Sequence, residues 1–302
     1  MSKWFKSTEL VGFAVQNMVA RVTLNRPDKR NALNREMLVG LHRALLEADD
    51  RTDVNVVILE GAGRDFCAGY DLTSTYAGRE AEESDSAKPD IPYRTRWGSL
   101  ADDTWHLEGT QRLVNVLFDM HKPVIAKVQG NCLAGGTDLV FLADLVIAAE
   151  DARIGFPAAR ANGTPPSHMW VYHLGPQWAK RMLMTGDSLL GKDAARVGLV
   201  LDAVPANQLD AEVTELARRI SCVDAELLAA HKRVVNMALE LQGARTLQRF
   251  AAEMDARSHL SQGPRRSRFK QDLAEGGLKQ ALANRDAPFG DGLVKFGAGS
   301  ES

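Results

Sequence analysis

Hydrophobic and polar positions follow two different periods along the chain, and together they predict an α/β fold. Short apolar or alternating runs predict β-strands at residues 10–15, 18–24, 55–59, 123–129, 144–149 and 153–156. Between some of these runs, apolar residues recur at helical spacing, as in residues 105–121. Because strands and helices alternate through about residue 205, we expect a core with parallel strand pairing.

Two local signals sharpen the prediction near the N-terminus. Only Gln16 and Asn17 separate the first two strands, which favours a β-hairpin with a tight turn. Asn34 stands directly before a helical pattern and is expected to cap that helix. The apolar face of the helix consists of Leu38, Leu41, Leu45 and Ala48.

Beyond residue 205 the pattern becomes helical throughout. Helices are predicted at 209–220, 225–241, 244–260 and 267–284, with Gly and Pro between them. We therefore divide the chain into a core, residues 1–205, and a helical C-terminal region, residues 206–302. The C-terminal region is too small to be stable by itself, so we expect it to pack on the core of its own chain or on a partner subunit.

Residues 130–138 carry the strongest chemical signal, because a predicted strand leads through a glycine turn into a predicted helix. Gly135 and Gly136 allow the backbone to approach a ligand closely, since neither has a Cβ. The first amides of a helix lack internal partners and favour negative charge, so this turn can hold an oxyanion. A helix N-terminus that needs glycine only to turn explains the same residues.

A second turn of small residues, 66–72, also precedes a predicted helix. Two such turns could aim two sets of amides at one ligand. Residues 73–103 follow as an irregular segment rich in Glu, Asp, Ser and Pro, predicted to be an extended loop or lid with some helix.

Composition narrows the class of protein. Of the 302 residues, 45% are hydrophobic and 25% charged, and the net charge of −2 gives no indication of a nucleic-acid partner. No segment approaches the roughly 20 apolar residues that span a bilayer, and no signal-length apolar run follows the N-terminus. Three cysteines without metal-ligand spacing fit a reducing environment, so we expect a cytoplasmic protein.

Four segments together resemble the crotonase superfamily, of which enoyl-CoA hydratase is the best-known member. They are residues 24–33 (LNRPDKRNAL), 66–72 (FCAGYDL), 130–138 (GNCLAGGTD) and 194–205 (AARVGLVLDAVP). Each pattern is weak alone, but their order and spacing make a strong family signal over nearly the whole chain. The resemblance implies a spiral of ββα units followed by a helical trimerisation region.

The resemblance also implies a chemistry. Members of the family bind acyl-CoA thioesters so that two backbone N–H groups contact the thioester oxygen and stabilise an enolate. By motif position these N–H groups belong to Tyr70 and Gly135. The expected CoA- and substrate-binding residues are Lys29, Arg30, Ala32, Ala68, Tyr70, Asp71, Leu72 and Gly135. No cofactor is expected apart from the coenzyme A of the substrate.

Proton transfer is where this chain departs from the family pattern. Family hydratases use two glutamates, and Asp138 occupies the first position while Ala158 occupies the second. Asp138 is therefore the expected catalytic acid or base, or else it only favours the helix dipole. Two residues could substitute for the carboxylate missing at position 158. One is Arg160, as a partner of Asp138 or of a substrate carboxylate, and the other is His168. For the phenol of Tyr70, a packing or gating role is favoured over catalysis.

The sequence therefore favours an enoyl-CoA hydratase-like enzyme and leaves alternatives open. An isomerase, hydrolase or decarboxylase needs fewer acid–base groups, and a non-catalytic acyl-CoA-binding protein needs none. The resemblance further implies a homotrimer or a dimer of trimers. The positions from which the family contacts CoA across subunits are here Ala281 and Asn284, with Arg285 adjacent, so contacts in trans are an open point.

Overall fold

The computed structural model describes residues 2–5, 8–73, 94 and 99–296, and its fold is α/β. Six strands form the larger sheet, in the order β1-β2-β3-β4-β6-β9. The β1–β2 pair is antiparallel and the other pairs are parallel, as predicted for the core. The strands are β1 Val11–Gln16, β2 Val19–Leu24, β3 Val56–Gly61, β4 Val124–Val128, β6 Leu145–Ala149 and β9 Asp202–Val204.

The predicted hairpin is present, but its turn lies one residue later than expected. Gln16 belongs to β1 and pairs with Val19, so Asn17 and Met18 form the turn. Both turn residues have positive φ angles, 51° and 64°. A two-residue hairpin turn with positive φ at both positions matches the twist of the strands, which explains the shift.

The glycine-turn prediction for residues 130–138 needs a correction. A short strand, β5 (Asn131–Leu133), stands between β4 and the helix. It pairs with β7 (Arg153–Gly155), which in turn pairs with β8 (Ser188–Leu190) to form the smaller sheet. Helix α4 (Gly135–Val140) begins at Gly135 itself, after Ala134 with a φ of 48°. The turn is therefore made by Ala134, and the two glycines lie in the first helical turn.

Asn34 caps α1 (Arg35–Asp50) as predicted, since its side chain accepts a hydrogen bond from the Met37 N–H. The predicted helix at 105–121 starts earlier, as α2 (Leu100–Val114), because Ser99 caps it by accepting from the Asp102 N–H. A separate short helix, α3 (Val116–Asp119), follows it. The remaining part of the predicted irregular segment lies outside the described residues, apart from Thr73, Arg94 and Ser99.

The four predicted helices of the C-terminal region are present with approximately the predicted bounds, whereas two helices late in the core were not predicted. Those of the core are α5 (Trp170–Thr185), broken at Gly175, and α6 (Gly191–Arg196). The four of the C-terminal region are α7 (Leu209–Ser221), α8 (Ala225–Leu241), α9 (Ala244–His259) and α10 (Pro264–Asp286). Helix α10 starts at Pro264, a residue type suited to the first helical turn, and is broken at Gly277.

Packing joins the C-terminal helices to the core. Helix α7 buries Leu209 and Val213 in the core cluster and lies against strands of the larger sheet. Helix α9 packs on α2, where Leu107 meets Ala252 and Ala256. Small residues on α9 allow the two helices to approach closely, and this contact brings their polar side chains together. Among the described residues, no helix combines the length and the apolar character that crossing a bilayer requires.

Candidate active site

The two predicted turns meet in space. Gly69 has a φ of +105°, and a Cβ added there would lie 2.9 Å from the Ala134 Cβ and 3.3 Å from the Gly135 nitrogen. Only glycine fits this position, because a side chain would meet both an unfavourable φ and the neighbouring turn. The backbone that leads into Tyr70 therefore lies directly against the backbone that opens α4.

Hydrogen bonding leaves the N–H groups of Tyr70 and Gly135 available. Leu33 forms a parallel bridge around Tyr70: its N–H donates to the Gly69 oxygen at 2.8 Å, and its oxygen accepts from the Asp71 N–H at 2.9 Å. Tyr70's own N–H points away from that bridge. Within the described part of the chain, neither this N–H nor that of Gly135 donates to a protein acceptor. For Gly135 the reason is its place at the start of a helix.

A cavity of about 1000 Å³ opens beside these turns. Its wall includes most of the predicted binding residues, namely Lys29, Arg30, Ala32, Ala68, Tyr70, Asp71 and Leu72. Gly135 and Asp138 are not part of the wall. The Tyr70 ring covers Gly135, since a Cβ on Gly135 would lie 2.9 Å from ring atoms Cδ2 and Cε2. Gly135 and Asp138 thus lie one layer behind the surface that a ligand meets.

Asp138 and Tyr70 form a hydrogen-bonded pair, in which Asp138 is buried and Tyr70 is half-buried. The Tyr70 hydroxyl donates to Asp138 Oδ2 at 3.0 Å, and Asp138 is only 2% exposed. Burial raises the pKa of Asp138 to about 8, with the Asp255 charge adding to the rise and the Tyr70 hydrogen bond opposing it. Burial, with the Asp138 charge, also raises the pKa of Tyr70 well above its usual value. Near neutrality the pair therefore holds a carboxylic acid beside a neutral phenol, which equips it to donate or accept a proton.

Hydrogen bonds of Asn31 fix the loop that carries Lys29 and Arg30. Buried Asn31 donates through Nδ2 to the oxygens of Ala62 and Asp65, at 2.9 and 2.8 Å. Arg30 and Asn31 both have positive φ angles, 51° and 55°, so the loop turns sharply. Lys29 and Arg30 are exposed as a result, and they present positive charge at the edge of the cavity.

Asp71, by contrast, anchors the second turn. Its carboxylate pairs with Arg26, with 2.6 Å between Nη1 and Oδ2, and it accepts a hydrogen bond from the Thr73 N–H at 3.0 Å. Asp71 therefore ties the turn of residues 66–72 to the loop of residues 24–33, while it also contributes to the cavity wall.

Arg160 and His168, the two residues considered as substitutes in proton transfer, do not share the surroundings of Asp138. Arg160 is committed elsewhere: it pairs with Asp187 at 3.0 Å and Asp286 at 3.1 Å, and its guanidinium lies over the Phe289 ring. Of the two partners considered for Arg160, Asp138 is therefore not the one it binds, because Asp187 and Asp286 hold its guanidinium. His168 is not part of the cavity wall, and burial lowers its pKa.

The C-terminal helix contributes to the cavity of its own chain. Arg285 lines the wall and donates to the Asn162 Oδ1 at 2.8 Å, whereas Ala281 is fully buried. Ala158 also lines the wall, so the position expected to carry the second carboxylate faces the cavity with a methyl group.

Polar residues from α9 and α2 were missed by the sequence analysis. Asp255 and His259 line the cavity, and Asp103 contacts His259, with 2.6 Å between Oδ2 and Nδ1. The spacing of Asp255 and His259, one helical turn apart, is visible in the sequence and places them on one face. Nothing local indicates which face of α9 meets the cavity, because that depends on packing against α2.

Comparisons with known proteins place the chain in a family and match its fold. A model of the enoyl-CoA hydratase/isomerase family matches residues 19–274. The hydroxycinnamoyl-CoA hydratase-lyase of Pseudomonas fluorescens is 31% identical over 291 residues, covering 93% of this chain and 98% of that protein. Two solved structures resemble the fold. An enoyl-CoA hydratase from Mycobacterium smegmatis has a TM-score of 0.84 and 34% identity, covering 95% of this chain and 96% of that one. An enoyl-CoA hydratase/isomerase from Xanthobacter autotrophicus Py2 has a TM-score of 0.83 and 32% identity, covering 94% and 99%.

Proposed function

The chain belongs to the enoyl-CoA hydratase/isomerase family of the crotonase superfamily, and from this premise we propose that it is an enoyl-CoA hydratase-like hydro-lyase. It adds water to an α,β-unsaturated acyl-CoA thioester through an enolate. The observation that supports the proposal is that the backbone N–H groups of Tyr70 and Gly135, on two turns that lie against each other, donate to no protein acceptor among the described residues.

In the proposed mechanism, the thioester oxygen accepts hydrogen bonds from these two N–H groups. Attack at the β-carbon moves negative charge to that oxygen, and preorganised donors stabilise the charge without reorganising at the moment of reaction. Removing one such donor typically costs about 3–4 kcal/mol in the transition state. The Tyr70 ring must turn from its place over Gly135 for the oxygen to reach the second N–H, so we assign the ring a gating role.

Asp138 and Tyr70 then supply the proton for the α-carbon. The α-carbon is bonded to the carbonyl carbon, so it lies near the oxyanion donors and near the phenol that covers Gly135. The raised pKa of Asp138 supports a protonated acid near neutrality. Either the phenol passes on its own proton and takes that of Asp138, or Asp138 donates directly once the ring has moved.

Lys29 and Arg30 are proposed to contact phosphates of the CoA moiety, since both are exposed cations on the cavity wall. Arg285 provides a further cation on the wall from within the same chain. The reaction needs no cofactor apart from the CoA of the substrate. We propose a cytoplasmic location, because the cysteines are free thiols, two of them buried.

Assembly as a homotrimer or dimer of trimers belongs to the proposal as well. Helix α8 supports it, because its exposed side chains include Leu227, Val234, Val235, Met237 and Leu241. An apolar face of this extent is typical of a surface that another copy of the chain covers.

One specific observation favours a second candidate function. Ala158 brings no carboxylate to the wall, and an isomerase, hydrolase or decarboxylase would use the same oxyanion site with fewer acid–base groups. A non-catalytic acyl-CoA-binding protein is the less favoured alternative, because the Asp138–Tyr70 pair is equipped for proton transfer.

The test uses purified protein with crotonyl-CoA, longer enoyl-CoAs and aromatic enoyl-CoAs, the last because a relative is named for hydroxycinnamoyl-CoA. Loss of the conjugated thioester absorbance measures hydration, and thermal shift measures binding. Turnover that Asp138→Asn abolishes supports the hydratase. Stabilisation without turnover indicates a binding protein, and no response to any CoA ester would refute the proposal.

A further inference from the structure

The wall around Ala158 is shaped by the residues that follow it. The Ala158 oxygen accepts hydrogen bonds from the N–H groups of Asn162 and Gly163, at 2.7 and 3.2 Å. The chain therefore folds back after Ala158 and brings Gly163 against it. Both Ala158 and Gly163 line the cavity.

Asp255, on α9 of the C-terminal region, lies beside this turn. Its Oδ1 accepts a hydrogen bond from the Thr164 N–H at 2.7 Å and lies so close to Gly163 that a Cβ there would be 2.3 Å away. Asp255 is 5% exposed and lines the cavity. A carboxylate thus stands beside the backbone turn that starts at Ala158, although it comes from a residue almost a hundred positions later.

His259 lies next to Asp255, with 3.7 Å between Nε2 and Oδ1. Its other ring nitrogen, Nδ1, contacts Asp103 Oδ2 at 2.6 Å, and that carboxylate fixes the orientation of the ring. His259 and Asp255 are both on the cavity wall, whereas Asp103 supports them from α2. The arrangement resembles a general base with an oriented imidazole beside it.

We propose that Asp255 is the second catalytic carboxylate of the site, taking the place of the group that Ala158 lacks, with His259 and Asp103 as its positioning residues. This inference rests on the proposed function. Because two carboxylates near one site cannot both ionise easily, one is expected to keep its proton while the other remains charged. The influence of Asp255 on the pKa of Asp138 fits that division.

The assigned steps balance. Asp255 accepts a proton from the attacking water as the water oxygen bonds to the β-carbon. The π electrons between the α- and β-carbons form the enolate, held by the Tyr70 and Gly135 N–H groups. The Asp138–Tyr70 pair then gives a proton to the α-carbon. The proton on Asp255 and the proton lost from Asp138 re-equilibrate through solvent, so no further reactant is needed.

Asp255 therefore acts in the reaction at the β-carbon, and Asp138 acts at the α-carbon. Two different reactions can test these two roles separately. Hydration of crotonyl-CoA needs both. Exchange of the α-protons of butyryl-CoA in D₂O needs only the oxyanion donors and the Asp138–Tyr70 pair. At pH 8, Asp138 is about half ionised and can act in both directions.

The experiment measures both reactions for the wild-type chain, Asp255→Asn and Asp138→Asn. We expect Asp255→Asn to lower kcat for hydration by about 10²–10⁴-fold, with α-proton exchange within about 3-fold of wild type, because Asn still accepts from the Thr164 N–H. Asp138→Asn should lose both reactions. Hydration by Asp255→Asn at the wild-type rate overturns the inference, and so does equal loss of both reactions.

Further variants guard against a purely structural effect. Gly163→Ala should reproduce the loss of hydration, because its Cβ displaces the Asp255 carboxylate. Asp103→Asn should lower kcat for hydration about 10-fold with unchanged KM and unchanged exchange, a split that a folding defect would not produce. Asp272→Asn, a buried aspartate of α10 outside the cavity wall, is the matched control and should leave both reactions unchanged. Wild-type hydration that Asp255→Asn leaves unchanged refutes the role of Asp255 alone, whereas a wild-type chain that catalyses no hydration refutes the proposed function as well.

Discussion

Replacing Asp138 by Asn should change stability and activity in opposite directions. Relative to wild type, the variant should become more stable as pH rises, and it should lose activity. The native state holds this carboxyl at a pKa of about 8, against 3.8 as its ordinary value, chiefly because it is buried. Between these two values the unfolded chain releases the proton while the native chain keeps it. The wild-type protein therefore loses stability as pH rises from about 4 to about 8, and Asn, which does not titrate, escapes that loss.

The magnitude follows from the two pKa values. The titration lowers the free energy of unfolding by about 2 kcal/mol at pH 5 and about 6 kcal/mol at pH 9. The difference between Asp138→Asn and wild type should therefore become about 4 kcal/mol more favourable to the variant between these pH values. Over the same range the variant should lose about 10²–10⁴-fold in kcat.

Urea unfolding at pH 5 and pH 9, followed by tryptophan fluorescence at one protein concentration, measures this change, and Trp170 at 1% exposure is a suitable reporter. Subtracting wild type from variant removes the contribution of every other titrating group. Asp65→Asn is the control: hydrogen bonds from Asn131 outweigh burial and lower the Asp65 pKa, so its stability contribution is constant from pH 5 to pH 9. An Asp138→Asn difference that is the same at both pH values would refute the buried acid, and retained turnover would refute its catalytic role.

Three further outcomes are expected. Gly135→Ala should lower kcat at least 10-fold, because its Cβ would lie 2.9 Å from the Tyr70 ring and displace it from Asp138; unchanged turnover in the crotonyl-CoA assay would contradict that placement. Replacing both Lys29 and Arg30 by Ala should raise KM about 10-fold and leave kcat unchanged, as expected for phosphate contacts remote from the reacting carbons; a change confined to kcat would argue against CoA contacts. Val235→Asp, on α8 and 63% exposed, should shift the mass in light scattering from an oligomer towards the monomer, whereas wild-type chains that already scatter as monomers would refute the proposed assembly.

The sequence by itself determined the features that depend on neighbouring residues. The positions of six strands, the Asn34 cap and the hairpin follow from local periodicity and backbone preference, whereas β5, β8 and β9 were not predicted. The hairpin turn shifted to Asn17 and Met18 because positive φ was needed at both positions. The turn that holds Tyr70 was also predictable, since close backbone approach requires glycine at Gly69 whatever the rest of the chain does, whereas the turn before Gly135 is made by Ala134.

Tertiary structure decided the electrostatics and the composition of the wall. Asp138 has a raised pKa only because surrounding elements exclude water from it, and Arg160 turned away from Asp138 because Asp187 and Asp286 are nearer. Asp103 and His259 meet beside the cavity through the packing of α9 on α2. Such proximity depends on how distant helices pack, and no stretch of sequence a few residues long encodes it.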